Sequence, residues 1–159
     1  MLSPPLTTAS RDLVALACCG ALALCAGCAP DLPAGWEDAT AIDSLTQSAC
    51  DGNPYENFDE RVEGDISSSP LMVQYREAHF RCEQPVEGFY RVVGGAVDVL
   101  VQPEDLDPGA VAGCDCLYDI DMSFSLEVDL APERLTLYRR WDNLNDPNEP
   151  VEVGTLLRP

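Results

Sequence analysis

Cys116-Leu-Tyr-Asp-Ile-Asp-Met-Ser-Phe-Ser-Leu-Glu-Val-Asp-Leu130 is the stretch whose reading decides the fold. Apolar side chains stand at Cys116, Tyr118, Ile120, Met122, Phe124, Leu126, Val128 and Leu130. Asp119, Asp121, Ser123, Ser125, Glu127 and Asp129 fill the other register, and only Leu117 breaks it. Period two sustained this long predicts a β-strand with one face in a core and the other in water. Working outward, the apolar runs Val86 to Val93 and Ala96 to Val101 flank Gly94-Gly95. A two-residue turn that needs positive φ at both places favours glycine, so this segment predicts a hairpin. Leu71 to Cys82, Arg134 to Trp141 after the break at Ala131-Pro132, and Val151 to Leu157 read as further strands. Thr40 to Ala49, with Ile42, Leu45 and Ala49 at helical spacing, reads as a short amphipathic helix. About six or seven strands without intervening helices predict an all-β fold, an antiparallel β-sandwich or small barrel, and argue against βαβ units.

Composition narrows the chemistry. Nine basic residues, all arginine, face 28 acidic ones, for a formal charge of -19 over 159 residues. A polyanion of this balance repels phosphate backbones, which excludes a nucleic-acid partner as the main ligand. Without lysine there is no Schiff-base or Walker-type lysine, and with His79 as the single histidine there is no multi-histidine metal centre or relay. The same field favours basic partners or divalent cations, and an exposed strand edge offers β-augmentation to another envelope protein.

The N-terminus carries fifteen uncharged residues from Leu13 to Gly27, preceded by Arg11. That is too short for a bilayer span, which takes roughly 20 residues, and suits the apolar region of a signal peptide. Leu24-Cys25-Ala26-Gly27-Cys28 resembles the lipobox of bacterial lipoproteins. The resemblance implies cleavage before Cys28, diacylglycerol on its thiol and an acyl chain such as palmitate on its amine, hence a membrane partner through several lipid chains, since one chain holds only marginally. A plain secretory signal cut near Ala23, or a signal anchor, are the alternatives. On the lipoprotein reading residues 1–27 leave, taking Cys18, Cys19 and Cys25 with them, and 132 of the 159 residues remain, enough for one domain. Residues 28–49 form the lipidated cysteine and a tether, with Pro30, Pro33 and Gly35 resisting regular structure, and residues 50–159 form the domain.

Cys50, Cys82, Cys114 and Cys116 then remain, an even number in an oxidising compartment, where disulfides are the default. Cys114 and Cys116 are two apart on one strand, about 6.5 to 7 Å between Cα atoms with parallel side chains, near the limit for bridging each other. One should join Cys50 and the other Cys82. The alternative is a zinc or copper site from His79, Cys82, Cys114 and Cys116, a donor set that tetrahedral zinc accepts. On a strand, however, His79 and Cys82 point to opposite faces.

Asp119 and Asp121 share a strand face at a spacing within the range of glycosidase carboxylate pairs, but that face continues polar like a solvated surface. The oxygen-rich Asp142 to Glu149 could hold calcium yet departs from the EF-hand pattern, with Leu144 at its third place. No Gly-x-Ser-x-Gly, Ser-x-x-Lys or His-Glu-x-x-His occurs, and Ser67, Ser68 and Ser69 have no evident base. Tyr75, Tyr90, Tyr118, Tyr138, Phe89 and Trp141 read as cross-strand packing.

Val111-Ala-Gly-Cys-Asp-Cys-Leu-Tyr-Asp-Ile120 is similar to a Cys-x-Cys-x-Tyr-Asp strand of small exported bacterial β proteins, including myxobacterial lipoproteins. The resemblance implies a β fold and an exported life and brings no activity with it. The expectation is an envelope-anchored lipoprotein without a cofactor, a non-enzymatic binding or structural module. The other reading is an exported metal-binding (zinc or copper) or hydrolytic protein.

Overall fold

The computed structural model describes residues 30–105, 113–126, 130–141 and 149–159. Among them nine strands form two sheets: β1 (Thr40–Ala41), β2 (Ser44–Gln47), β3 (Arg61–Asp65), β4 (Leu71–Arg81), β5 (Val86–Val93), β6 (Ala96–Pro103), β7 (Asp115–Phe124), β8 (Arg134–Arg139) and β9 (Val151–Leu157). One sheet runs β1-β5-β6-β8-β9 and the other β2-β7-β4-β3, a sandwich-like pair stapled by two disulfides.

β7 follows its alternation. Cys116, Tyr118, Ile120, Met122 and Phe124 are buried in the core between the sheets, while Asp119 and Asp121 are exposed. The strand ends at Phe124, short of the Leu130 that the pattern reaches, and residues 127–129 lie outside the described set. Leu117, the break in the pattern, sits on the outer face opposite His79 yet is only 6% exposed. The loop at Gly52 covers it, so closely that a Cβ at Gly52 would lie 3.0 Å from the Leu117 Cδ1. Gly94 and Gly95 turn the β5–β6 hairpin at φ 59° and 86°, the backbone that glycine adopts without penalty.

Three features differ from the sequence expectations. The pairing is antiparallel except between β6 and β8, which run parallel because β7, the strand between them in sequence, belongs to the opposite sheet. Thr40 to Ala49 is not a helix: the chain pairs with β5 at Thr40–Ala41, crosses at Asp43 and pairs with β7 at Ser44–Gln47. Ile42 and Leu45 both reach the core from that crossing, which mimics helical spacing. At its end the Gln47 side chain accepts from the Val86 N–H and donates to the Gln84 carbonyl, standing in for a strand at the edge of β5.

The third difference concerns the tether. Residues 30–39 are packed on the outer face of the five-stranded sheet, where Trp36, 3% exposed, forms a second apolar cluster with Phe89 and Leu100. Its ring meets Tyr138 edge-on at 5.9 Å and carries the Arg91 guanidinium at 4.1 Å. Proline and glycine do prevent regular structure here, but they do not prevent burial. Replacing Trp36 by alanine should therefore lower stability by about 3 kcal/mol, as for other buried aromatics. The denaturant midpoint would report it, and an unchanged midpoint would mean that the segment is not part of the fold.

Candidate functional site

Cys50 pairs with Cys116 and Cys82 with Cys114, with Cα separations of 5.7 and 5.5 Å. Strand geometry accounts for this division, since each of two near neighbours reaches a different partner. Cys116 points into the core beside Phe80, its cross-strand neighbour, and Cys82 follows directly on β4. The zinc or copper alternative is thereby withdrawn: Cys82, Cys114 and Cys116 spend their sulfurs in two separate bridges. Among the described residues no group of three His, Cys, Asp or Glu side chains lies close enough to hold a metal ion. Cys28 and residues 142–148 of the acidic loop lie outside the described residues.

The bridges span 66 and 32 residues of sequence. Loop-closure entropy assigns each about 4 kcal/mol, a large share of the net stability of a domain this size. Replacing either pair by alanine should lower the urea-unfolding free energy by that order. A loss under about 1 kcal/mol would show that the bridges do not restrict the unfolded chain in the way the loop-closure account requires.

Asp119 and Asp121 do share the outer face of β7, but one arginine occupies both. Arg76 Nη1 lies 3.3 Å from Asp119 and Nη2 3.1 Å from Asp121, and Gln74 donates to Asp121 at 3.2 Å. Both carboxylates are about half exposed, at 52% and 54%. Solvated carboxylates clamped by the same cation lack the desolvation that keeps one member of an acid–base pair protonated. The cause lies in β4. Arg76 lies on the outer face with Gln74 by the alternation of β4, and the register shift between Tyr75 and Ala78, with Glu77 at φ 53°, sets Glu77 on that face beside it. Glu77 in turn accepts from the Asp59 N–H at 2.6 Å and from Arg61 at 3.3 Å. Arg61, Arg76, Glu77 and Asp119 line a shallow depression of about 660 Å3 closed on its other side by Ser48 to Gly52.

A second cluster surrounds His79. Its ring meets Trp141 edge-on at 4.0 Å and Phe58 at 5.7 Å, and its Nε2 lies 3.7 Å from Asp115, whose carboxylate accepts from the Tyr55 hydroxyl at 2.7 Å. Arg139 stands over Trp141 at 4.7 Å and pairs with Glu60 at 3.2 Å, and Glu60 accepts from the Tyr75 hydroxyl. Burial, and then the charge of Glu60, holds the Tyr75 phenol well above its usual range. The His79 Nε2 and the Trp141 Nε1 are both buried without a hydrogen-bond partner. Burial lowers the His79 pKa, reinforced by Arg139 and opposed by Asp115 and Glu60. The ring nitrogens of His79 and Trp141 are occluded, while Tyr55, 77% exposed, brings the Asp115 end of the cluster to the surface. Sequence reasoning missed Glu60, Arg139 and Phe58 here, since they lie far from His79 in the chain and no spacing links them.

Because the unfolded chain protonates His79 before the folded one does, its contribution is complete above about pH 6.5 and is lost as pH falls through the lowered folded value. His79→Phe should flatten the drop in denaturant midpoint between pH 7.5 and pH 5.5. Parallel curves for the two proteins would place that titration elsewhere.

A third arrangement, also unforeseen, lies where the described chain begins. Gln102 and Arg140, both essentially buried, donate to the backbone carbonyl of Asp31, and Gln102 also donates to Glu87 at 2.8 Å. Arg140 additionally sits 3.5 Å from the Asp31 carboxylate. Burial raises the Glu87 pKa, which Glu104 reinforces and the Gln102 amide opposes. The available signal was a polar Gln102 closing the apolar run Val97 to Val101, and Arg139-Arg140 ending a strand. Compared with known proteins, the chain matches no family model, no curated protein and no solved structure.

Proposed function

We propose that this chain is an exported protein held in the cell envelope by acyl chains on Cys28, and that its domain is a non-enzymatic binding or structural module. The observation that carries the reading is the pair of disulfides, which fits an oxidising, extracytoplasmic environment. The lipobox-like Leu24 to Cys28, after fifteen uncharged residues, supplies the route and the anchor. The candidate chemistry weighs toward a module: the aspartate pair is spent on Arg76, the cysteine set on bridges, and His79 is enclosed by Trp141 and Phe58. A hydrolytic or metal-binding role therefore has no support from these residues. The acidic surface favours a basic partner or divalent cations at long range.

The test is metabolic labelling of the full chain with an alkyne analogue of palmitate in a bacterial host, followed by fractionation and mass measurement without reduction. The expected product carries label, sediments with membranes and begins at Cys28, and Cys28→Ala loses the label. A soluble, unlabelled product in the cytosol with all eight cysteines alkylatable would overturn the proposal.

A further inference from the structure

The distance from anchor to fold is set by the clamp on Asp31. Asp31 lies three residues after Cys28, so even fully extended backbone allows only about 10 Å between them. Its carbonyl is held by Gln102 at 3.1 Å and by Arg140, two side chains at 0% and 3% exposure. Breaking these bonds would leave the buried Gln102 amide and Arg140 guanidinium each short of one acceptor, which costs more than a bond to water-exposed groups would. Five residues later Trp36 fixes the same segment to Phe89, Leu100 and Tyr138. Among the described residues no free stalk precedes the fold.

We infer that the domain lies directly against the lipid headgroup layer, with the end of the sandwich that carries Asp31, Gln102 and Glu104 facing the membrane and the Gly94-Gly95 turn pointing away. The inference rests on the acylation of Cys28 proposed above. β6 supplies the axis: it runs from Ala96 beside the turn to Pro103 beside the Asp31 clamp, about 25 Å at the usual rise per residue. The partner is the headgroup surface itself. Asp31, Glu87, Glu104 and Asp105 line the depression at this end, while Arg140 is held on Asp31. Four carboxylates facing headgroups make the contact sensitive to lipid charge: zwitterionic headgroups accept this face closely, and anionic ones push it away over a Debye length of about 8 Å.

The experiment uses the acylated full-length protein in vesicles, with one donor dye at Glu104→Cys or at Val93→Cys and an acceptor on the lipid. Both positions are exposed and neither belongs to the clamp. Transfer from position 104 should exceed that from position 93 by about twofold for labels about 25 Å apart along the strand. It should also be greater on zwitterionic than on anionic vesicles at low salt. A Gly/Ser insertion of about 20 residues between Ala29 and Pro30, long enough for a mean span of about 25 Å, should abolish the difference between the two labels. Equal transfer from the two positions in a protein whose mass shows the acyl chains overturns the inference alone. A mass without acyl chains removes the anchor, and this inference falls with it.

Discussion

β6 is the strand on which the arrangement depends, because it is buried along nearly its whole length and on both faces. Val97, Val99 and Val101 enter the core between the sheets, and Asp98, Leu100 and Gln102 face the other way without reaching water. A sandwich covers only one face of each sheet, so a second cover is required for the outer one. Residues 30–39 provide it. Leu100 receives Trp36, Asp98 is paired with Arg91 at 3.0 Å beneath the same ring, and Gln102 turns its amide to Asp31 and Glu87. Burial of polar groups is tolerable here because each finds a partner, as it must in a low-dielectric setting. The segment nearest the proposed anchor is therefore a part of the fold rather than a lead into it.

How much of this could be read from the residues depended on whether a constraint was local. β7 and the β5–β6 hairpin follow from alternation and a glycine pair, and β9 from an apolar stretch after a turn-rich one, all of which depend only on neighbours along the chain. That Cys114 and Cys116 do not bridge each other followed from their spacing on one strand, again a local quantity, whereas which of them meets Cys50 did not. What escaped is non-local. Trp36 is buried against Phe89 and Leu100, more than fifty residues away, and no periodicity within residues 30–39 announces that. β3 is a short, polar edge strand in which Val62 alone packs against the core, so it has too little apolar pattern to register. The Glu77 bulge inverts the parity of β4, with Leu71, Val73 and Tyr75 buried before it and Ala78 and Phe80 after it. A strict count of two would have sent the last part of β4 to the wrong face.

The acid excess explains how the arginines are used. Arg61, Arg76, Arg91, Arg139 and Arg140 each lie within 4 Å of a carboxylate, and each of those pairs joins different segments or spans a bulge. Exposed pairs of this kind contribute little individually, so Arg61 and Arg76 chiefly relieve repulsion among Asp59, Glu63, Glu77, Asp119 and Asp121 on one sheet face. Arg139 and Arg140 are another matter: Arg139 and its partner Glu60 are both largely withdrawn from water, and Arg140 is almost wholly so, whereas the carboxylates on Arg61 and Arg76 stay solvated. Their value is positional: one fixes Glu60 and the Trp141 ring, the other fixes Asp31. Losing a partner there leaves a desolvated cation, which is the costly outcome.

These positional contacts fall at the same end of the sandwich as the disulfides. Cys82 follows β4 and precedes Gln84, whose carbonyl accepts from Gln47, and Val86 pairs with Pro103 beside the Asp31 clamp. Cross-links act mainly by removing freedom from the unfolded chain, and hydrogen bonds to buried partners act by making departure from the folded arrangement costly. Placed together they restrict local opening at that end, whereas the far end, which holds the Gly94-Gly95 turn and the Asp65 to Pro70 turn, has no disulfide among the described residues and carries exposed Val92 and Val93. A chain pulled through its N-terminus would transmit the load to Gln102, Arg140 and the ladder of β6 first, so order at that end is what a membrane-held domain of this topology requires.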